Sequence, residues 1–113
     1  MPLDFFEELT QHILDESKNK NYLDLSYDNI TILPDVFEKL THLEHVSLNN
    51  NQISKLPPSF FLLVYLKSLN LSNNRFTEMT YKFNMFHLNA LYFTNNPLKS
   101  LINRVPTRLI PAD

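Results

Sequence analysis

The chain contains no glycine and no cysteine in 113 residues. Glycine normally makes up about 7% of a protein. Its absence removes every site in which a bare backbone must close on a phosphate, of both the Walker and the dinucleotide-binding type. The glycine-flanked nucleophile elbow of hydrolases is excluded on the same ground. Without cysteine there are no disulfides and no thiolate-held metal. Long apolar runs are missing too: the longest, Phe60 to Leu66, is far short of the roughly 20 residues that a bilayer crossing needs. The opening residues, Met1-Pro2-Leu3-Asp4-Phe5-Phe6-Glu7-Glu8, place acid where a secretory signal needs base. An intracellular, cytoplasmic protein is expected. Ten basic against twelve acidic residues leave a net charge of −2, which offers nucleic acid or an anionic membrane no general attraction.

What the chain has in excess is leucine and asparagine, 20 and 14 residues, and the two recur together. Leu43-x-x-Val46-x-Leu48-x-x-Asn51-x-Ile53-x-x-Leu56-Pro57 is followed 23 residues later by Leu66-x-x-Leu69-x-Leu71-x-x-Asn74-x-Phe76-x-x-Met79. After 22 more residues comes Leu88-x-x-Leu91-x-Phe93-x-x-Asn96-x-Leu98-x-x-Leu101. Upstream, Leu23-x-Leu25-x-x-Asp28-x-Ile30-x-x-Leu33-Pro34 is a first copy in register, with Asp28 in the asparagine position. Phe37, Phe60 and Phe83 align in the second half of the units, as do Leu40, Leu63 and Phe86.

This pattern resembles the leucine-rich repeat family, whose units of about 20 to 29 residues carry L-x-x-L-x-L-x-x-N-x-L. The Leu-Pro pairs at 33–34 and 56–57 are similar to the 23-residue cytoplasmic subtype. Thr80 and Ile102 replace that proline in units three and four, so the segment after Phe76 is expected to run differently and the last unit to be incomplete. The resemblance implies an α/β solenoid with about four short parallel strands on its concave face. Alternation independently points Leu23/Leu25, Val46/Leu48, Leu69/Leu71 and Leu91/Phe93 inward. Asn51, Asn74 and Asn96 carry both donor and acceptor and are expected to satisfy backbone groups in stacked turns. Asp28 can only accept when ionised, which is tolerable in the first turn, where one neighbour is missing.

The whole chain, 1–113, reads as one domain: a capping helix over 1–19, four repeats over 20–101 and a C-terminal cap over 102–113. A solenoid exposes its core at both ends and needs such caps. Asp4-x-x-Glu7 has capping-box spacing, and Phe5, Leu9 and Ile13, with Phe6 and Leu14, form an apolar stripe. Its polar face is acidic, which argues against a membrane-surface helix. At the other end Val105, Leu109 and Ile110, between Pro106 and Pro111, are expected to close the core irregularly.

The concave face is where this family generally binds proteins, and its outward columns can be read directly. They are Tyr22, His45, Ser68, Ala90; then Asp24, Ser47, Asn70, Tyr92; then Ser26, Asn49, Ser72, Thr94; with Tyr27, Asn50, Asn73, Asn95 at the strand ends. Tyrosine combines contact area with a polar tip at low entropic cost. Tyr22, Tyr27 and Tyr92 with His45 are therefore candidate anchors, with Asp24, Ser47 and Asn70 between them. Exposed tyrosines also simply suit a β-sheet. A second candidate surface lies in unit two, where Phe61, Leu62, Val64 and Tyr65 occupy positions expected to be solvated. It is either an interface, for a partner or a second copy, or a locally thicker core.

Asp24, His45 and Ser47 fall near one another on the expected sheet, which suggests triad chemistry. A flat open sheet offers neither an oxyanion hole nor a dry pocket, so no catalytic residues are assigned. His42 and His45 project oppositely from a strand, and His12 and His87 lie on other elements, so no metal site is expected. No cofactor is expected either. The chain reads as a non-enzymatic module that binds a partner protein, regulatory, inhibitory or immunity-type, with no nucleic acid and no membrane partner. The alternative is a structural protein that forms a homodimer through Phe61–Tyr65.

Overall fold

The computed structural model describes residues 4–79 and 87–101. The first element, α1 (Phe5–Ser17), starts where Asp4, in extended backbone, accepts the Glu7 N–H at 2.8 Å. That bond satisfies one of the donors left open at a helix start. Only Leu9, Ile13 and Ser17 of α1 are buried, a stripe of four-residue steps lying over the first repeat. Phe5 and Phe6, expected in that stripe, are 58% and 45% exposed, and Phe5 lines a cleft with Glu8, Leu9, His12 and Asp28 instead of entering the core. The helix ends against unit one through His42, whose Nε2 donates to the Ser17 carbonyl at 2.6 Å. The Ser17 hydroxyl turns back to the Ile13 carbonyl.

Strands β1 (Tyr22–Asp24), β2 (His45–Ser47), β3 (Ser68–Asn70) and β5 (Ala90–Tyr92) form one parallel sheet in that spatial order. The register is uniform: Tyr22 pairs with His45, His45 with Ser68 and Ser68 with Ala90. The ladder continues past the strands, with the N–H of Leu25 on Ser47, of Leu48 on Asn70 and of Leu71 on Tyr92. Between the strands the chain returns through short 3-10 turns, Phe37–Lys39 and Pro58–Leu62. Phe37 and Phe60 are fully buried and meet edge to face at 4.9 Å and 69°.

The core is the set of columns the repeat predicts. Leu23, Val46, Leu69 and Leu91 make one buried layer, Leu25, Leu48 and Leu71 the next, and Ile30, Ile53 and Phe76 a third. Each such side chain contributes about 1.5–3 kcal/mol of burial. Phe93 and Leu98 are only partly buried, packed against the last layers.

The expected departure after Phe76 takes a definite form. β4 (Glu78–Met79) and β6 (Ser100–Leu101) pair in parallel on the return side, Glu78 with Ser100 and Met79 with Leu101. The corresponding segments of units one and two run into Pro34 and Pro57, which have no N–H to give a ladder. The C-terminal cap proposed for 102–113 lies outside the described residues, as do Phe83 and Phe86.

Candidate functional site

Every repeat turns sharply just after its strand. Tyr27, Asn50, Asn73 and Asn95 occupy the same place in successive turns, and all have positive φ, between 57° and 62°. Asn29 also has positive φ, 56°. Asparagine tolerates this left-handed region where other residues resist it, which is how these turns form without glycine. Asn51 then closes two turns at once. Its Oδ1 accepts from the N–H groups of Asp28 and Ile30, at 3.1 and 2.9 Å, and its Nδ2 donates to the carbonyls of Leu25 and Leu48. Asn74 repeats this between Ile53, Leu48 and Leu71, and Asn96 between Phe76, Leu71 and Phe93. Each asparagine reaches back one repeat. Asp28 has only the helix behind it, and it is exposed beside a cleft lined by Phe5, Glu8, Leu9 and His12.

The sheet rests on this rigid ladder and presents Tyr22, Asp24, His45, Ser47, Asn70 and Tyr92 outward in register. Tyr22 and Tyr27 are 51% and 72% exposed, whereas Tyr92 is half-buried. Lys20 Nζ stands 5.5 Å from the centre of the Tyr22 ring, within cation–π reach. Asp24 Oδ1 accepts from the Ser26 hydroxyl at 2.6 Å and from the Ser26 N–H at 3.0 Å, and these bonds hold its carboxyl below the usual aspartate range. At the far end of the strands Ser72 is buried rather than open. Thr94 lies over it, donating to its hydroxyl through both N–H and Oγ1 at 3.2 Å.

Asp24, His45 and Ser47 do not join as a triad. His45 Nδ1 bonds Ser68 Oγ at 2.7 Å, and Asp24 is committed to Ser26. Strand spacing tells which residues share a face, not which neighbour a rotamer selects. Among the described residues no three histidine, cysteine or acidic side chains gather in a way that could hold a metal ion. None of their helices is long and apolar enough to cross a membrane.

The second candidate surface divides. Phe61 is half-buried and packs against the core, because the 3-10 turn of unit two, five residues long against three in unit one, turns it inward. Leu62, Val64 and Tyr65 remain exposed at 49%, 41% and 66%. Val64 and Tyr65 border a cleft of about 430 Å³ with Lys67, His87 and Asn89. Lys67 is engaged with Glu44 at 3.1 Å, and its ammonium holds the Glu44 carboxyl below the usual range. Sequence reasoning missed Ser59, whose hydroxyl accepts the Phe37 N–H while its own N–H bonds Asp35 Oδ1. Its signal was slight, a small polar residue before an aligned phenylalanine.

A stack of strand-and-turn units, each joined to the one before it by an ordered asparagine, Asn51, Asn74 or Asn96, defines the class as a repeat solenoid. The sequence model described as Leucine rich repeat matches residues 4–53, and a second, described as Leucine Rich Repeat, matches residues 65–83. The chain belongs to the leucine-rich repeat family. Comparison with curated proteins finds no match.

Proposed function

We propose that the chain is a non-enzymatic binding module that holds a partner protein on the concave sheet face and so regulates, inhibits or shields it. Domains of this family generally mediate protein–protein interaction. The observation that carries the reading is the face itself: a registered polar sheet, fixed from behind by Asn51 and Asn74, with two strongly exposed tyrosines along its first strand and turn. Tyr22, Tyr27, Tyr92 and His45 are the anchors, with Asp24, Ser47 and Asn70 as polar contacts between them. Such a surface loses little side-chain entropy on binding, which favours affinity. The proposed site of action is the cytoplasm, a reading supported by a fold that uses no disulfides.

Affinity capture from the native cell, repeated with Tyr22 and Tyr92 both changed to Ala, tests this. The wild type retains a partner and the double variant loses it; equal retention overturns the concave-face reading. A second reading, a homodimer through Leu62, Val64 and Tyr65, is favoured by their contiguous exposure. It requires a dimer that persists on dilution and disappears with Tyr65→Glu, read by light scattering.

A further inference from the structure

Of the twelve positions that alternation points outward on the four strands and their immediate extensions, from Tyr22 to Thr94, eleven stay open to solvent at least in part, and Asp24 alone carries a charge at neutral pH when histidine is neutral. Two cations near this face are already engaged. Lys67 pairs with Glu44 at 3.1 Å, and Lys20 lies 3.7 Å from Glu16 while standing over the Tyr22 ring. Among the described residues no cation pairs with Asp24. Its two hydrogen bonds from Ser26 both reach Oδ1, so the side chain is held in one orientation while charge remains to be matched from outside.

Docking a protein on this sheet takes that carboxylate out of water. Covering an ionised group without a partner is strongly unfavourable. A ligand surface that is neutral or acidic opposite Asp24 is therefore rejected, and one that brings a cation is selected. Arginine suits the position better than lysine. Its planar fork bonds a carboxylate, and its flat face stacks on an aromatic ring. Tyr22 is two residues away on the same face, about 7 Å along the strand, and already accepts a cation from its own chain.

We propose that Asp24 is the specificity anchor of the concave face and that the partner protein inserts an arginine side chain there, between the Asp24 carboxylate and Tyr22. This rests on the concave-face reading and narrows it to a partner of stated chemistry. Asp24 here is a binding residue with no part in building the core, which lies on the opposite side of the sheet.

The probe is N-acetyl-arginine methylamide, set against its neutral isostere N-acetyl-citrulline methylamide, with backbone amide shifts of the whole chain as readout. The arginine compound is expected to shift Tyr22, Asp24, Ser26 and Ser47, and the citrulline compound is not. Asp24→Asn keeps the oxygen that accepts from Ser26 and should weaken the arginine response about fivefold. No localised response, or one unchanged in Asp24→Asn, overturns the assignment. With a captured partner the two readings separate. A partner lost on Tyr22→Ala/Tyr92→Ala but retained by Asp24→Asn overturns the arginine anchor and leaves the concave face standing. Retention by the tyrosine variant overturns the face itself. Self-association of the wild type that Asp24→Asn abolishes would assign the arginine to a second copy and overturn the foreign partner.

Discussion

The first turn and the two inner turns of this solenoid share a backbone and differ in what they do with it. At the inner turns Asn50 and Asn73 take the left-handed position, and Asn51 and Asn74 are buried, tying consecutive repeats together. At the first turn the same places hold Tyr27 and Asp28, both exposed, and Tyr27 takes φ 60° without the local hydrogen bonding that makes asparagine tolerant there. A bulky residue in that region is an outlier and costs on the order of 1–2 kcal/mol. Inner turns thus serve the stack, whereas the first turn gives up stability to place a tyrosine and a carboxylate in solvent beside the binding face.

The comparison breaks most visibly at its strongest member. Asn51→Ala removes two acceptor contacts and three donor contacts inside a buried turn, leaving the N–H of Ile30 and the carbonyls of Leu25 and Leu48 without that partner. Unpaired buried backbone groups cost about 1–3 kcal/mol each, part of it recovered by water. A loss of about 3 kcal/mol is expected in urea unfolding. Asp28→Ala at the matching place should change stability by less than about 0.5 kcal/mol. Equal losses at the two sites would mean that the first turn is as structural as the second.

How much of this was legible in the chain follows from what periodicity encodes. A repeated column fixes a face and a layer, so Leu23 to Leu91, Asn51 to Asn96 and the paired phenylalanines Phe37 and Phe60 could be placed from spacing alone. Asp4 announced its cap through the acid three residues later. Where the outcome depends on a rotamer or on how far two elements overlap, spacing is silent. His45 chose Ser68 over Ser47, Ser59 bridged Asp35 and Phe37, and His42 held the helix end. Phe5 and Phe6 had the right period, yet both stay exposed, Phe5 in the cleft beside Asp28. The glycine-free turns were readable, because three asparagines share Tyr27's column.

Tyr27 offers the next test, of opposite sign. Replacing it with asparagine restores the residue found at the inner turns and relieves the unfavourable backbone, for an expected gain of about 1 kcal/mol. If Tyr27 also anchors the partner, the same variant binds more weakly while unfolding at higher urea. A stability loss instead would show that the tyrosine ring packs usefully in the first turn, and the contrast between turns would narrow to Asp28.

The smallest effect separates the units by pH. The turns of repeats two and three are closed by neutral amides, which do not titrate, whereas unit one carries Asp24 and Asp35. The hydroxyl and N–H of Ser26 lower the carboxyl of Asp24, and contacts with Ser59 lower that of Asp35, both from an ordinary value of 3.8. A carboxyl depressed in the folded state binds its proton less readily than in the unfolded chain, so its contribution is fully present above the ordinary value and lost as pH falls through the depressed one. Stability should therefore hold from neutral pH to about 4 in this respect and decline below 3.8. Glu44, held by Lys67 between units two and three, adds a decline below 4.5. Amide exchange resolves the regions: Phe37 and Ser59, which meet at the Asp35 bridge, should lose protection on acidification before Leu48 and Leu71, and Asp35→Asn should flatten that difference. If Leu48 and Leu71 open first, acid acts on the amide ladder by another route, and the division between a titratable first unit and neutral inner turns fails.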